Sequence, residues 1–333
     1  MKKLPTLILL AFFVTFLYTC TNPQSSNNLD RIPVIFDTDA NNELDDQHAL
    51  AYLIFNDETF DIKAVTVNTT RNGGNIDEQY AEAERVMTLC EAMDDIPLLK
   101  GADGSFDAIK GELINPDFDG AEAVNFIIGE AKKHKDDKLV VIAVGKLTNV
   151  ALAVQKEPSI AEKIRLVWLG ANYPDPGEYN LENDIPSMNY LLKTNIAFEM
   201  VTVRYGKPSG TDAVKVTKEE AMANMPGLGP TIETPITGRH GGEFTNFGNY
   251  SVNLFEHIDY YGNPPARALF DMAAVAIVKN PDWAKRTVIP SPIMVDEVWM
   301  DQPGNARKIS VWEYFDKDNI LSDFYATLKN AGE

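Results

Sequence analysis

Cysteine is scarce in this sequence, whose 333 residues include only Cys20 and Cys90. Cys20 ends an apolar amino-terminal run, so Cys90 is the single cysteine of the remaining chain, which excludes an internal disulfide there. A fold without disulfides needs a sizeable hydrophobic core, and a chain of this length can bury one. Length alone allows one large domain or two ordinary ones.

Basic residues are also few, since 30 lysines and arginines face 49 aspartates and glutamates and give a formal net charge of −19. A protein that binds duplex nucleic acid needs a basic face to neutralise phosphates, so this balance argues against nucleic-acid partners. The acidity by itself is typical of a well-solvated surface and identifies no partner.

Long apolar runs are missing except at the amino terminus, where Leu7 to Tyr18 follows two lysines. This run is short for a bilayer span and is typical of a signal-peptide core. Its end, Leu17-Tyr18-Thr19-Cys20, resembles a lipoprotein cleavage box with Cys20 lipidated, although ordinary secretion or an uncleaved anchor would leave a similar run. We expect a signal peptide over 1–19, a tether over 20–31, and an exported periplasmic or cell-envelope protein attached to the membrane by a lipid anchor only.

Short apolar runs alternate with amphipathic segments along most of the chain. Ile32 to Phe36 predicts a buried strand, and Asp45 to Asn56 places its apolar residues on one face, as a helix does. Further strands are predicted at 61–67, 96–99, 139–144, 165–169, 199–204, 287–295 and 308–314, and further helices at 76–93, 121–133, 148–155, 186–194 and 266–278. This alternation predicts one α/β domain over 32–333, with a mostly parallel open sheet covered by helices on both faces.

One segment, Met225 to Pro265, departs from this pattern because glycine, proline and aromatic residues replace the periodic apolar positions. We expect a long functional loop there, although a helical or β insertion could hide in such a composition.

Acidic residues crowd the segment Asp37-Thr38-Asp39-Ala40-Asn41-Asn42-Glu43-Leu44-Asp45-Asp46, which directly follows the first predicted strand. Ligands of parallel α/β sheets bind at the carboxyl ends of strands, so the segment is well placed for a site. Its carboxylates repel each other unless a cation joins them, and oxygen ligands favour Ca²⁺ or Mg²⁺. The alternative is a solvated acidic turn without a metal.

Two other acidic signatures fit this segment less well. An EF-hand loop that starts at Asp37 needs glycine at position 42 and glutamate at position 48, where the chain has Asn42 and His48, so it is rejected. A haloacid-dehalogenase-type phosphatase begins with Asp-x-Asp-x-Thr or Val after a strand. Asp37 to Ala40 matches this pattern until Asn41, so such a phosphatase remains the enzymatic alternative.

The acidic segment most closely resembles the opening motif of the nucleoside hydrolase family, with Asp-Thr-Asp, a short loop, and Asp-Asp at a helix start. Asp37-Thr38-Asp39 and Asp45-Asp46 supply both halves, but the loop Ala40–Leu44 is two residues longer than the family's Pro-Gly-x. Three later segments extend the resemblance over roughly residues 32 to 280. They are Gly145 to Asn149 for Gly-Pro-Leu-Thr-Asn, Glu178 to Asp184 for Glu-Phe-Asn-x-x-x-Asp, and Phe270 to Ala274 for His-Asp-x-x-Ala.

The resemblance implies a Rossmann-like core and a Ca²⁺-dependent glycosidase of the inosine-uridine preferring type, which hydrolyses the N-glycosidic bond of small ribosides. It implies Asp39 as the base that activates water, and as metal ligands Asp39, Asp46, Asp271 and the carbonyl of Thr148. It implies as sugar ligands Asp45, Asn172, Glu178, Asn180 and Asn75, for which Asn68 and Asn72 are competitors. Without the family, Thr148 would be a helix cap, Asp271 a partner of a helix dipole, and Asn172 and Glu178 part of a surface turn.

The family's histidine beside the last metal aspartate is Phe270 here, so the proton donor to the leaving group must differ. We expect His240 in the glycine-rich segment to replace it, unless it is an exposed loop histidine. Stacking of Phe270, Tyr260 or Tyr261 on a base is the alternative. A non-catalytic riboside-binding lipoprotein with a structural metal also remains possible at this point, and homo-oligomerisation is left open.

Overall fold

An eight-stranded sheet forms the centre of this computed structural model, which describes residues 31–135 and 137–333. The predicted signal peptide, Cys20 and all but the last residue of the predicted tether lie outside the described residues. Among the described residues, no helix combines the length and the apolar character that crossing a bilayer requires.

The strand order across the sheet is β11-β14-β6-β5-β4-β1-β2-β3, and all neighbouring strands are parallel except the edge pair β11 and β14. Three small two-stranded sheets pair β7 with β10, β8 with β9, and β12 with β13. The strands are β1 (Ile32–Thr38), β2 (Phe60–Val67), β3 (Leu98–Lys100), β4 (Leu139–Ala143), β5 (Ile164–Leu169), β6 (Ala197–Val201), β7 (Lys215–Thr217), β8 (Ile236–Thr237), β9 (Glu243–Phe244), β10 (Ala266–Ala268), β11 (Lys285–Pro290), β12 (Ile293–Val295), β13 (Val298–Met300) and β14 (Lys308–Glu313). The predicted mostly parallel sheet is confirmed.

Helices cover both faces of the sheet and bury a separate hydrophobic cluster against each face. Residues of α1, α2, α9, α10 and α11 belong to one cluster, and residues of α3, α4, α5 and α7 to the other. The helices are α1 (Leu44–Ile54), α2 (Ile76–Leu89), α3 (Phe106–Ile109), α4 (Ala121–Lys133), α5 (Thr148–Lys156), α6 (Tyr179–Asn183), α7 (Ile185–Leu191), α8 (Lys218–Asn224), α9 (Phe247–Glu256), α10 (Phe270–Lys279) and α11 (Lys317–Asn330).

Strand β1 shows why the central strands are continuous apolar runs. Val34 and Phe36 pack into one cluster, whereas Ile35 between them packs into the other. Successive side chains of a strand point to opposite faces, so a strand covered on both sides needs apolar residues at every position. The run ends where Asp37 and Thr38 reach the carboxyl edge of the sheet, and the acidic loop follows there.

The segment from 225 to 265 is not the long loop that its composition predicts. It contains the two-residue strands β8 and β9 and the ten-residue helix α9, whose amino terminus is capped by the Asn246 side chain. Helix α9 buries Phe247, Tyr250, Leu254 and Phe255. These positions follow helical spacing, which the glycine and asparagines between them concealed.

Further elements depart from the sequence prediction, among them the predicted strand at 287–295, which divides into β11 and β12. The segment predicted as one helix from Ala266 to Val278 divides into β10 and α10, because Ala266–Ala268 pairs antiparallel with β7. Helix α11 was not predicted, although Ile320, Leu321, Phe324 and Leu328 of it are buried against the core. The short helix α3 was also not predicted.

Candidate metal and sugar site

A cavity of about 480 Å³ opens at the carboxyl edge of the central strands. Strands β4 and β5 end beside it, and helices α1 and α10 begin there. Its walls combine acidic, amide, aromatic and basic side chains. The charged, amide and aromatic lining residues are Asn42, Glu43, Asp45, Asp46, Glu178, Tyr179, Asn180, Tyr205, Asp212, Lys215, Tyr261, Arg267, Phe270 and Asp271.

Three buried carboxyl groups meet in this cavity. Asp45 and Asp46 lie in the first turn of α1, and Asp271 lies in the first turn of α10. One oxygen of each carboxyl group lies within 4.8 Å of an oxygen of the other two. The amino-terminal dipoles of the two helices favour negative charge, but three carboxylates at this separation repel each other strongly.

Burial, and after it the charges of neighbouring aspartates, raise the pKa values of the three acids. Burial raises the pKa of Asp45 to about 7, and the charge of Asp39 adds to the shift. Burial and then the charges of neighbouring aspartates raise the pKa values of Asp46 and Asp271 well above the ordinary range. A divalent cation among the three groups would relieve both effects, and an all-oxygen donor set fits a hard ion.

Asp39 lies beside this carboxylate cluster but does not line the cavity. Its Oδ2 accepts a hydrogen bond of 2.5 Å from the Thr70 hydroxyl, whereas its buried Oδ1 has no partner among the described residues. Burial raises the pKa of Asp39 to about 7. A methyl group on Gly145 would stand 2.8 Å from this Oδ1, so glycine keeps the space open. An orphaned carboxylate oxygen in this place is a ready acceptor for a cation or a proton.

Asp37 does not face the cavity, although the sequence groups it with the site. Its carboxylate accepts hydrogen bonds from Thr66 at 2.6 Å, Asn149 at 2.7 Å and Asn68 at 3.2 Å. These bonds tie the end of β1 to β2, to the residue after β2 and to α5. Asp37 therefore organises the edge of the sheet beneath the cavity.

Glu178 and Asn180 line the cavity, as the sequence predicts for sugar ligands. The Glu178 carboxylate accepts hydrogen bonds from the backbone N–H groups of Ala171, Asn180 and Leu181 at 2.9–3.0 Å, so it is held rigidly. The Asn180 Nδ2 donates to the carbonyls of Val144 and Leu169. Its Oδ1 makes no hydrogen bond with the described residues and remains available as an acceptor.

Ala171 has an unfavourable backbone conformation in this arrangement. Its φ of 90° is unfavourable for a residue with a side chain, and its N–H group donates to Glu178. Strained backbone of this kind persists where the surrounding structure fixes a functional group, and here it fixes a carboxylate of the cavity wall.

Two predicted sugar ligands are not brought to the cavity. Asn75 is exposed and caps α2, where its Oδ1 accepts hydrogen bonds from the N–H groups of Asp77 and Glu78. Asn172 bonds to the Pro176 carbonyl and accepts from the Tyr205 N–H group. Capping a helix and closing a turn are common uses of asparagine, and both compete with a role in ligand binding.

Thr148 is also held away from the cavity. Its hydroxyl donates to Asp184 at 2.5 Å, and its carbonyl belongs to the first turn of α5, where carbonyls point along the helix. Val144, directly after β4, lines the cavity and presents the backbone at the end of that strand. The backbone at Val144, whose carbonyl also accepts a hydrogen bond from Asn180 Nδ2 at 2.7 Å, therefore lines the cavity where the carbonyl of Thr148 was expected.

His240 lies outside the cavity, contrary to the prediction. It is exposed on the β8–β9 turn and stacks on His257 with ring centroids 4.7 Å apart. His48 is buried between the Leu44 carbonyl and the Ser251 hydroxyl, and His134 lies beside Asp137. No histidine of the described chain lines the cavity.

Aromatic rings occupy part of the cavity wall. Phe270 and Tyr205 meet edge to face with centroids 5.7 Å apart, and Tyr261 lies in the same wall. Tyr260 is directed elsewhere, because its hydroxyl donates to the Phe255 carbonyl at 2.6 Å. Tyr205 was missed by the sequence analysis, although an aromatic residue shortly after a strand that ends at the ligand edge is a usable signal.

The cavity also contains two cations that no motif indicated, Arg267 and Lys215. They come from the short paired strands β10 and β7, which the sequence analysis did not recognise. Lys215 forms an ion pair of 2.6 Å with Asp212, and Arg267 pairs with Glu43 of the acidic loop.

Comparison with known proteins places the fold among characterised structures. A model of the inosine-uridine preferring nucleoside hydrolases matches residues 34–319. A plant nucleoside hydrolase has 18% sequence identity and a TM-score of 0.66, with 90% of this chain and 99% of that chain covered. An inosine-guanosine nucleoside hydrolase has 16% identity and a TM-score of 0.68, with coverage of 90% and 98%. The inosine-uridine preferring nucleoside hydrolase of Bacillus anthracis has 16% identity and a TM-score of 0.65, with coverage of 90% and 99%.

Sequence comparison also finds an uncharacterized protein of Schizosaccharomyces pombe. It is 25% identical over 117 residues, which make up 33% of this chain and 37% of the yeast protein. The match therefore spans little more than a third of that relative's length.

Proposed function

This chain belongs to the family of inosine-uridine preferring nucleoside hydrolases, and from that membership we propose that it hydrolyses the N-glycosidic bond of ribonucleosides or related small ribosides. The observation that carries the proposal is the meeting of Asp45, Asp46 and Asp271 in one cavity with Glu178 and Asn180. Family membership favours this reading over the phosphatase alternative.

A calcium ion is the cofactor that we propose for the carboxylate cluster. Asp46 and Asp271 would hold it, together with the unpartnered Oδ1 of Asp39 and the carbonyl of Val144. When bound, calcium would supply positive charge that neutralises the carboxylates and lowers the pKa of a nearby water molecule.

The proton of the attacking water goes to Asp39 in this proposal. Asp39 is a buried carboxylate beside the proposed calcium site, and such a carboxylate can take a proton from water that the metal activates. The water oxygen bonds to the anomeric carbon as the glycosidic C–N bond breaks through an oxocarbenium-like state. The pair of electrons from the broken bond goes to the departing base.

Asp45, Glu178 and Asn180 are proposed to bind the sugar. Their oxygens accept hydrogen bonds from ribose hydroxyls, and this binding holds the anomeric carbon in place. The three N–H groups that fix Glu178 make the contact well ordered before the substrate arrives. Phe270, Tyr205 and Tyr261 provide an apolar surface for an aromatic base.

A second candidate function is riboside binding without turnover. The specific observation in its favour is the lack of a histidine in the cavity wall of the described chain. Under this reading the same residues bind the sugar and the metal, but no bond is broken.

Release of free ribose from inosine and uridine tests the proposal and separates the two functions. We expect ribose release that a calcium chelator stops and added calcium restores. Asp271→Asn should abolish release, whereas Asp318→Asn should not, because Asp318 also lies in a first helical turn but is exposed on α11. Binding of inosine without any ribose release by the wild type would support the non-catalytic function.

We further propose that the protein is exported and lipidated at Cys20. This rests on the amino-terminal sequence, where an apolar run after two lysines ends at that cysteine.

A further inference from the structure

A buried arginine is the least explained group of the cavity. Arg267 is 6% exposed and lies on β10, four residues before Asp271. Burial lowers its pKa to about 10, while the negative charge of Asp271 opposes that shift. Its guanidinium therefore stays charged near neutral pH. Burying a cation is costly unless its donors are used.

The ion pair with Glu43 uses only part of the guanidinium. An arginine side chain has five N–H donors, and Nη2 is the atom that contacts the Glu43 carboxylate. Nε is buried without a hydrogen-bond partner, and no hydrogen bond joins Nη1 to the described residues. Donors remain on a group that also lines the cavity. If Arg267 served only to hold the acidic loop in place through its ion pair with Glu43, these donors would have no role.

The surroundings of Arg267 match the requirements of a departing base. The ring of Tyr261 lies 5.9 Å from the guanidinium carbon, and Phe270 lies in the same wall. Lys215, on the strand paired with β10, also lines the cavity, where Asp212 pairs with it at 2.6 Å. Aromatic surface and positive charge together suit a planar group that gains electrons as it leaves.

We propose that Arg267 binds the leaving group and stabilises the negative charge that develops on it. This inference rests on the proposed function. As the C–N bond breaks, its electron pair goes to the base, and guanidinium N–H groups donate hydrogen bonds to the base. Arg267 keeps its own proton, and the released base takes a proton from solvent water. Arg267 thereby fills the role that no histidine of the described cavity wall can fill.

This role makes Arg267 a determinant of substrate class. Bases that are poor leaving groups need the stabilisation most, whereas nitrophenolate is stable as an anion and needs little help. The contribution of Arg267 to kcat/KM is therefore expected to depend on the leaving group. A purely structural ion pair with Glu43 would affect all substrates alike.

The test compares kcat/KM of the wild type, Arg267→Gln, Arg267→Lys and Glu43→Gln on inosine, uridine and p-nitrophenyl riboside. Loss of one preorganised donor typically costs roughly 100- to 1,000-fold, and we expect that loss for Arg267→Gln on inosine and uridine. On p-nitrophenyl riboside we expect a loss of less than about tenfold, since this leaving group needs little stabilisation. Arg267→Lys should retain part of the activity because it retains the charge.

Glu43→Gln separates the two roles of Arg267, because it removes the ion pair and keeps the guanidinium. We expect it to retain most of the activity on inosine and uridine. Arg286→Gln is the matched control, since the side chain of Arg286 is 52% exposed on β11 at the sheet edge. Calcium binding and thermal unfolding of every variant show whether it is folded and binds the metal.

If Arg267→Gln lost kcat/KM equally on all three substrates, the inference would be overturned and Arg267 would have only a structural role in its ion pair with Glu43. Equal losses in Arg267→Gln and Glu43→Gln would overturn it as well. If Arg267→Gln fails to fold, the comparison of Arg267→Lys across the three substrates decides in the same way. Failure of the proposed function is distinguishable, because the wild type would then release no ribose from any of the three.

Discussion

Removing one carboxylate of the cluster should stabilise the metal-free protein, although the residue removed is a proposed metal ligand. In Asp271→Asn a neutral amide replaces a buried carboxyl group whose pKa is raised by burial and then by the charges of Asp45 and Asp46. Burial and mutual repulsion of charged carboxylates destabilise the metal-free state, and a calcium ion bound among them would offset this cost. The variant should therefore gain stability without calcium and lose the gain that calcium provides.

The pKa of Asp45 gives the size of the cost of burying one charged carboxylate in this cluster. Its value rises from 3.8 to about 7 on folding, which corresponds to about 4 kcal/mol at 1.36 kcal/mol per pKa unit. Because the folded state holds this proton more tightly than the unfolded state, the contribution to stability is complete below pH 3.8 and is lost as pH rises through about 7. Metal-free wild-type protein should thus become less stable between pH 4 and pH 8.

Urea unfolding of the wild type, Asp271→Asn and Asp318→Asn, in chelator and in calcium, measures these effects. In chelator at pH 8 we expect Asp271→Asn to exceed the wild type in unfolding free energy, with Asp318→Asn unchanged. Calcium should stabilise the wild type and Asp318→Asn but not Asp271→Asn. The reasoning is refuted if metal-free wild-type protein is equally stable at pH 4 and pH 8, or if Asp271→Asn is the less stable protein in chelator.

Three further outcomes are expected. Gly145→Ala should lower the free energy of unfolding in urea by about 1–3 kcal/mol, because its methyl group would stand 2.8 Å from Asp39 Oδ1. Gly129→Ala is the control and should not destabilise the protein, since the added methyl group lies on the exposed face of α4 and meets nothing within 4 Å. His240→Ala should leave kcat for inosine unchanged, since His240 is exposed outside the cavity; a 100-fold loss would return it to the site. Cys20→Ser should move the protein from the membrane fraction to the soluble fraction of cells, and a wild type already found in the soluble fraction would reject lipidation.

The sequence predicted the sheet and the acidic part of the site because both depend on local pattern. The apolar run of β1 indicates a strand that is buried on both faces. The carboxylates that follow it indicate the edge of the sheet where ligands bind. Glu178 and Asn180 were found through a family motif. Such a motif fixes a chain segment, and the structure then brings both residues to the cavity.

The errors at the site have a common cause, which is that short polar residues serve several purposes. Asn75 and Asn172 are used by a helix cap and a turn, and Thr148 bonds to Asp184. Arg267 and Lys215 were missed for a different reason. They meet only because β7 pairs with β10, which lies about fifty residues later in the chain. No local sequence pattern predicts that pairing.

A crystal structure of Asp39→Asn with calcium and inosine tests the central claim most directly. This variant should lack the base and retain intact substrate. The account predicts an anomalous calcium peak contacting Asp46 and Asp271, with ribose hydroxyls against Glu178 and Asn180 and the base beside Arg267. Calcium bound away from the carboxylate cluster, or inosine bound outside this cavity, would contradict it.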